Sequence, residues 1–415
     1  MRRRRQFLRD AVQWGCLGLS GCNQLAQTLA SLDLGDPEAG VTTNTSTDAA
    51  SSDLADAGTP RSRGGSAVET LGFENEGEQP FGELTGAGWD GRLYTDLTQI
   101  ADGELLIPND LFYIRTRYPD LLDGSVPWSL ALDGLVDEPL RFGLDELVAR
   151  SRDQGAHLLE CAGNHRSGSF GLMSAATWNG VPLAEMLPEV TPSDSARAVL
   201  VTGFDEHSQP SVGGHSTPGA SWILTFDQIE ATGAFLATHM NGEVLPLDHG
   251  YPLRLVVPGW YGCTCIKWVQ SLTWVDEDAP ATSQMIEFAS RTHQDGVPAL
   301  ARDFNAPSIQ QAAMPIRIEK WRDELGVFYR IVGVLWGGQR PAPRLQLSFD
   351  GGVRFENVDL NPPVGQNQTW TLWHHIWEPP RTGEYVLQCR VPDPDIPTVR
   401  LDSAYYQRST IVDEV

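Results

Sequence analysis

The sequence predicts an α+β domain followed by an all-β sandwich of immunoglobulin type, and three observations carry that reading. From about residue 90 onward, strand-like apolar runs alternate with short segments of helical periodicity, ending at Val275. A break rich in small and turn-forming residues follows at Asp278-Ala279-Pro280-Ala281-Thr282. Beyond the break, apolar residues fall at every second position in short runs separated by Gly, Pro and Asp.

The chain divides in order into residues 1–22, 23–84, 85–280 and 281–415. The first segment carries Arg4-Arg5-Gln6-Phe7-Leu8-Arg9, which resembles a twin-arginine export signal. An uncharged stretch from Ala11 to Gly21 follows, too short to span a bilayer as a helix. Leu19-Ser20-Gly21-Cys22 resembles a lipobox, in which Cys22 takes a lipid and becomes the new N-terminus. The expected location is outside the cytoplasm, periplasmic or in the cell envelope, with the membrane held through that lipid. Residues 23–84 read as a flexible tether, because 33–65 is dominated by Asp, Ser, Thr, Ala and Gly without apolar periodicity.

In segment 85–280, Trp128, Leu130 and Leu132 alternate up to a hairpin turn at Asp133-Gly134. Leu144, Leu147 and Val148 define a short amphipathic helix within Phe142–Arg150. His157–Leu159 is a strand leading into Cys161. Trp178-Asn179-Gly180-Val181-Pro182-Leu183 reads as a turn, with a helix from Leu183 to Leu187. Leu253–Val257 is an apolar run broken only by Arg254, and Val269–Val275 closes the domain. In segment 281–415, Tyr329, Ile331, Gly333 and Leu335 alternate, as do Leu345, Leu347 and Phe349, and Tyr385, Leu387, Cys389 and Val391.

Net charge is −24 over 415 residues, which argues against nucleic acid and anionic membrane surfaces as partners. The 6 cysteines include no C-x-x-C-H haem-attachment motif and no zinc-type pair, so no haem is expected in this chain. Cys263 and Cys265, if in an extended strand, point to opposite faces and cannot bond to one another.

The most informative stretch is Leu159-Glu160-Cys161-Ala162-Gly163-Asn164-His165-Arg166. A thiol beside an imidazole and a guanidinium is biased toward the thiolate, the form that binds metals or attacks electrophiles. Three readings remain open on the residues alone: a soft metal ligand, a nucleophile without a metal, and a packed thiol. Arg254 inside an apolar run requires a buried anionic partner.

Four segments together resemble the sulfite oxidase family of molybdopterin-dependent oxidoreductases. They are Phe112-Tyr113-Ile114-Arg115; the Cys161 stretch with Trp178–Leu183; Met240-Asn241-Gly242-Glu243 through His249-Gly250-Tyr251-Pro252-Leu253-Arg254 to Gly259; and Ile266-Lys267-Trp268. Ser348–Gly352 and Trp373–Tyr385 resemble the family's dimerisation domain. The resemblance implies a molybdopterin-binding fold of sulfite-oxidase type in 85–280, a dimerising sandwich in 281–415, and a homodimer. It implies molybdenum on one molybdopterin, with Cys161 as the protein's metal ligand. Arg115 and Arg166, with Arg117 nearby, match anion-binding arginines for a small oxyanion such as sulfite. His215, Ser221, Arg254 and Lys267 are the implied pterin contacts. His374 and His375 read as sheet and interface residues.

The implied activity is oxidation of sulfite to sulfate, with electrons passed to an external acceptor such as cytochrome c. The alternatives are an exported reductase of sulfoxides, including oxidised methionine in proteins, and a non-enzymatic, lipid-tethered binding protein.

Overall fold

In chain order the strands are β1 (Ser66–Leu71), β2 (Ser129–Gly134), β3 (Leu140–Gly143), β4 (Arg152–Glu160), β5 (Met173–Pro182), β6 (Ala198–Gly203), β7 (Ser221–Thr225), β8 (Phe235–Met240), β9 (Glu243–Val244), β10 (Arg254–Val256) and β11 (Val269–Val275). Then come β12 (Ala312–Asp323), β13 (Gly326–Trp336), β14 (Leu345–Ser348), β15 (Glu356–Val358), β16 (Trp370–Trp377), β17 (Gly383–Arg390) and β18 (Arg408–Val412). Short helices are α1 (Leu144–Arg150), α2 (Leu183–Met186), α3 (Phe226–Thr232), α4 (Ser283–Phe288) and α5 (Val399–Asp402). These come from a computed structural model that describes residues 64–77, 80–101, 103–117, 128–205, 220–358, 360 and 369–415. The signal, Cys22, most of the expected tether and His215 with its glycine-rich surroundings lie outside the described residues.

The first half builds two sheets. One runs β10-β8-β5-β4, with β9 on β8, and the other β3-β2-β11-β6-β7. Among the described residues of this half, only β2 and β11 pair in parallel; the remaining neighbours are antiparallel. The second half builds two four-stranded antiparallel sheets, β1-β12-β13-β16 and β15-β14-β17-β18. β13 lies between two partners and is almost wholly buried, which is why its sequence is a near-continuous apolar run.

Most expected elements appear. α1 matches the helical spacing, with Leu147 buried and Glu146 Oε2 accepting from the Gly143 amide at 2.7 Å. The β2–β3 hairpin forms, although its loop spans 135–139 instead of closing at Asp133-Gly134. Two expectations need correction. Trp178–Pro182 is part of β5, not a turn. Its Asn-Gly pair marks a register shift against β8, and a Cβ on Gly180 would sit 2.4 Å from the Leu236 carbonyl oxygen. Residues 66–77 are not tether: β1 pairs antiparallel with β12, and Glu76 accepts from the buried Arg408 Nε at 2.7 Å. An exposed edge strand carries no apolar alternation, so composition alone concealed it.

Candidate functional site

Strand order places the site. Three antiparallel steps separate β4 from β10, so the carboxyl end of β4 and the amino end of β10 share one edge of their sheet. Cys161 follows the first and Arg254 begins the second. Both line one cavity of about 100 Å³, together with Tyr113, Arg115, His249 and Lys267.

Cys161 is 5% exposed. Its amide donates to the Leu172 carbonyl at 2.9 Å, and its sulfur accepts from the Gly163 amide at 3.4 Å. Neighbouring Glu160 is fully buried. Its carboxylate accepts from Trp336 Nε1 and from the Tyr406 hydroxyl, each at 2.9 Å, and faces Arg400 Nη1 at 3.9 Å. Arg400 Nη2 in turn donates to the Ala162 carbonyl at 2.7 Å and to the Arg291 carbonyl at 2.9 Å. Residues of the second half thus fix the loop that carries the thiol.

The segment that leads to Arg115 is anchored by Asn109 and Asn241. Asn241, in the left-handed conformation at φ 51°, forms a tight turn with Gly242 between β8 and β9. Its amide donates to the Ile107 carbonyl and to Asn109 Oδ1, both at 2.9 Å. Asn109 donates back to the Met240 carbonyl at 3.1 Å. This ties the run ending at Arg115 to the sheet edge.

At the far end, Arg254 is 5% exposed. Its Nη1 donates to the His249 carbonyl at 3.1 Å, its plane lies 5.7 Å from the Trp178 ring, and Nε has no hydrogen-bond partner. Among the described residues no carboxylate pairs with it. Burial lowers its pKa. Lys267, partly buried, donates to the carbonyls of Thr116 and of Asp248, the latter at 2.9 Å, and sits 4.3 Å from the Trp268 ring. Burial, then the Arg254 charge, pushes its ammonium well below its ordinary value. Trp268 holds a left-handed backbone at φ 55°, secured by its ring nitrogen on the Leu247 carbonyl at 2.9 Å. His249 is held neutral: burial, then Arg254, lowers it to about 3, and its Nε2 contacts the Asn109 carbonyl at 2.8 Å. Two partly uncompensated cations at one end of a cavity and a thiol on its wall fit a group that presents a phosphate and a soft metal.

The remaining sequence candidates fall elsewhere. Arg166 donates to the Gln407 carbonyl and is not among the residues that line the cavity. Arg117 pairs with Asp248 at 3.5 Å. Ser221 is buried at the start of β7, one residue beyond the lining residue Ala220. Cys263 and Cys265 both line the cavity, because Gly262–Thr264 is a helical turn and not the strand the sequence implied. All four described cysteines are free. Burial raises Cys263 well above its ordinary value, and the Cys161 charge adds to this. His374 and His375 sit in β16, as expected of sheet residues. Sequence reading missed Arg400, Arg291 and Tyr113 as site residues; the first lies nearly 240 positions from Cys161 in the chain, 400 against 161, and only the fold joins them.

Residues 118–283 match an oxidoreductase molybdopterin binding domain. The chain is 28% identical to sulfite oxidase from Gallus gallus over 318 residues, covering 69% of this chain and 66% of that one. It is 33% identical to nitrate reductase [NADH] from Spinacia oleracea over 190 residues, 42% of this chain and 20% of that protein. It thus spans less than two thirds of the length of these relatives. The fold is similar to that of the sulfane dehydrogenase SoxCD from Paracoccus pantotrophus, with a TM-score of 0.56 at 21% identity, covering 82% of this chain and 84% of that one. Similarity to the sulfite oxidases of Gallus gallus and Drosophila melanogaster runs well beyond the matched domain, and the chain carries a molybdopterin-binding oxidoreductase domain of sulfite oxidase type.

Proposed function

We propose that the chain holds molybdenum through one molybdopterin and the Cys161 thiolate, and oxidises sulfite to sulfate with electrons leaving to an external acceptor such as a cytochrome c. One observation carries the reading: Cys161, the buried Arg254 and the partly buried Lys267 line a single cavity. When bound, the group supplies a centre for two-electron oxygen-atom transfer. Arg254 and Lys267 would hold the pterin phosphate. His249, donating from Nε2 to Asn109, keeps Nδ1 as an acceptor toward the cavity. Arg115 holds the anion beside the thiolate and fixes its approach. Tyr113, whose phenol burial keeps protonated, closes the wall next to Cys161.

The cations favour an anion over a neutral sulfoxide, which gains little from them. Nitrate, the substrate in the names of several relatives, has the same anionic chemistry and is the second reading. We further propose export by the twin-arginine signal, a lipid on Cys22, and a homodimer joined through the two four-stranded sheets as an immunoglobulin-like pair.

The test is metal and pterin analysis of the purified full chain, followed by three assays: sulfite-dependent cytochrome c reduction, nitrate-dependent dye oxidation and sulfoxide-dependent dye oxidation. Turnover with sulfite, lost together with molybdenum in Cys161→Ser, is expected. Turnover with sulfoxide alone overturns the sulfite reading; absence of molybdenum from the unaltered protein overturns the enzyme.

A further inference from the structure

A second cleft adjoins the cavity and shares Arg115 and Glu287 with it; Arg92, His165, Arg291 and Arg400 stand on its walls. Most of these cations are committed to backbone oxygens. Arg92 Nη1 donates to the carbonyls of Trp89 at 3.0 Å and Gly91 at 2.8 Å. Arg400 spans Ala162 and Arg291. Arg166, outside the cleft, is bonded to Gln407.

Arg291 differs. Among the described residues its guanidinium has no hydrogen-bond acceptor and no carboxylate, only the Phe288 ring at 5.3 Å. Its backbone is anchored, because Arg400 ties its carbonyl to the loop after Cys161. A Cβ built on Gly163 would lie 3.4 Å from Arg291 Nη1 and 3.8 Å from the Cys161 sulfur. The cation and the thiol therefore flank one small volume, kept open by the missing side chain of Gly163. Positive potential converges there: His165 is held below its ordinary value by burial and then by the charges of Arg291 and Arg115.

We propose that Arg291, not Arg166, is the second arginine that grips a sulfur oxyanion beside Cys161, opposite Arg115. A planar fork with free donors matches two oxygens of a sulfite or sulfate dianion. This rests on the oxyanion reading above and assigns its specificity to a residue outside the matching motif.

The test measures equilibrium binding of sulfate to the cofactor-loaded full chain by calorimetry, with steady-state sulfite kinetics alongside. Arg291→Gln is expected to weaken sulfate binding roughly tenfold or more, the scale of one charge-assisted contact. Arg291→Lys, which keeps charge but loses the fork, falls between. The Michaelis constant for sulfite rises more than the turnover number falls. Molybdenum content and the urea midpoint stay unchanged, because the side chain is exposed and, among the described residues, touches only the Phe288 ring. Arg166→Gln leaves sulfate binding nearly intact. Unaltered affinity in Arg291→Gln, loss of affinity in Arg166→Gln instead, or no sulfate binding by the unaltered protein overturns the inference. Sulfate binding that depends on Arg291 without any sulfite turnover overturns the proposed activity and leaves the anion subsite standing.

Discussion

Removing the carboxylate of Glu160 tests whether the second half of the chain holds the thiol in place. In Glu160→Ala, Trp336 Nε1 and the Tyr406 hydroxyl lose acceptors at 2.9 Å in a site with no exposure. Each buried donor left unmade costs about 1–3 kcal/mol. Arg400, whose side chain is 11% exposed, loses its only carboxylate among the described residues, at 3.9 Å. Breaking a buried pair from one side costs about 3–5 kcal/mol. These groups form one network, so the terms overlap, and a combined loss on the order of 5 kcal/mol is expected. Glu160→Gln keeps the shape and one acceptor oxygen, and the Tyr406 hydroxyl can turn to accept, so its loss is expected at about 1–3 kcal/mol. Urea unfolding followed by tryptophan fluorescence gives both values. Hydrogen exchange at the Ala162–Asn164 amides should quicken in the alanine variant, because Arg400 also holds the Ala162 carbonyl. A loss under about 1 kcal/mol for alanine, or equal losses for alanine and glutamine, would refute the reasoning.

Three further outcomes are expected. Gly180→Ala forces a methyl to 2.4 Å from the Leu236 carbonyl oxygen, so the β5–β8 pairing must shift; an unfolding free energy in urea lowered by about 1–3 kcal/mol and strand-specific amide exchange are the readouts. His249 has a folded value of about 3, below the ordinary one, so the unfolded chain takes its proton first. Its contribution is complete above about pH 6.5 and is lost as pH falls toward the folded value, about 2 kcal/mol by pH 5; His249→Gln should flatten the measured decline between neutral pH and pH 5 by that amount. Arg254→Met removes a buried cation with no carboxylate partner among the described residues, so pterin content measured after denaturation should fall while the unfolding free energy of cofactor-free protein in urea does not drop by more than about 1 kcal/mol.

By itself the sequence determined the strands whose burial imposes a period and the chemistry of the short runs. Val269–Val275 emerged with the limits read from its pattern, and the helix at Leu144–Arg150 followed from its spacing. Cys161 after a strand and Arg254 inside an apolar run announced a thiol site and a buried cation needing an anion, since both signals are local. The edge strand Ser66–Leu71 stayed hidden because it buries neither face, and Gly180 looked like a turn because a bulge and a turn both call for a residue without a side chain. Only the tertiary structure decided which arginines meet the thiol. Arg166 lies five positions from Cys161 and turns to Gln407, whereas Arg291 and Arg400 reach the loop from distant segments. Proximity in the chain fixes where a backbone passes; the direction of a long cationic side chain is set by the acceptors that folding brings within its reach.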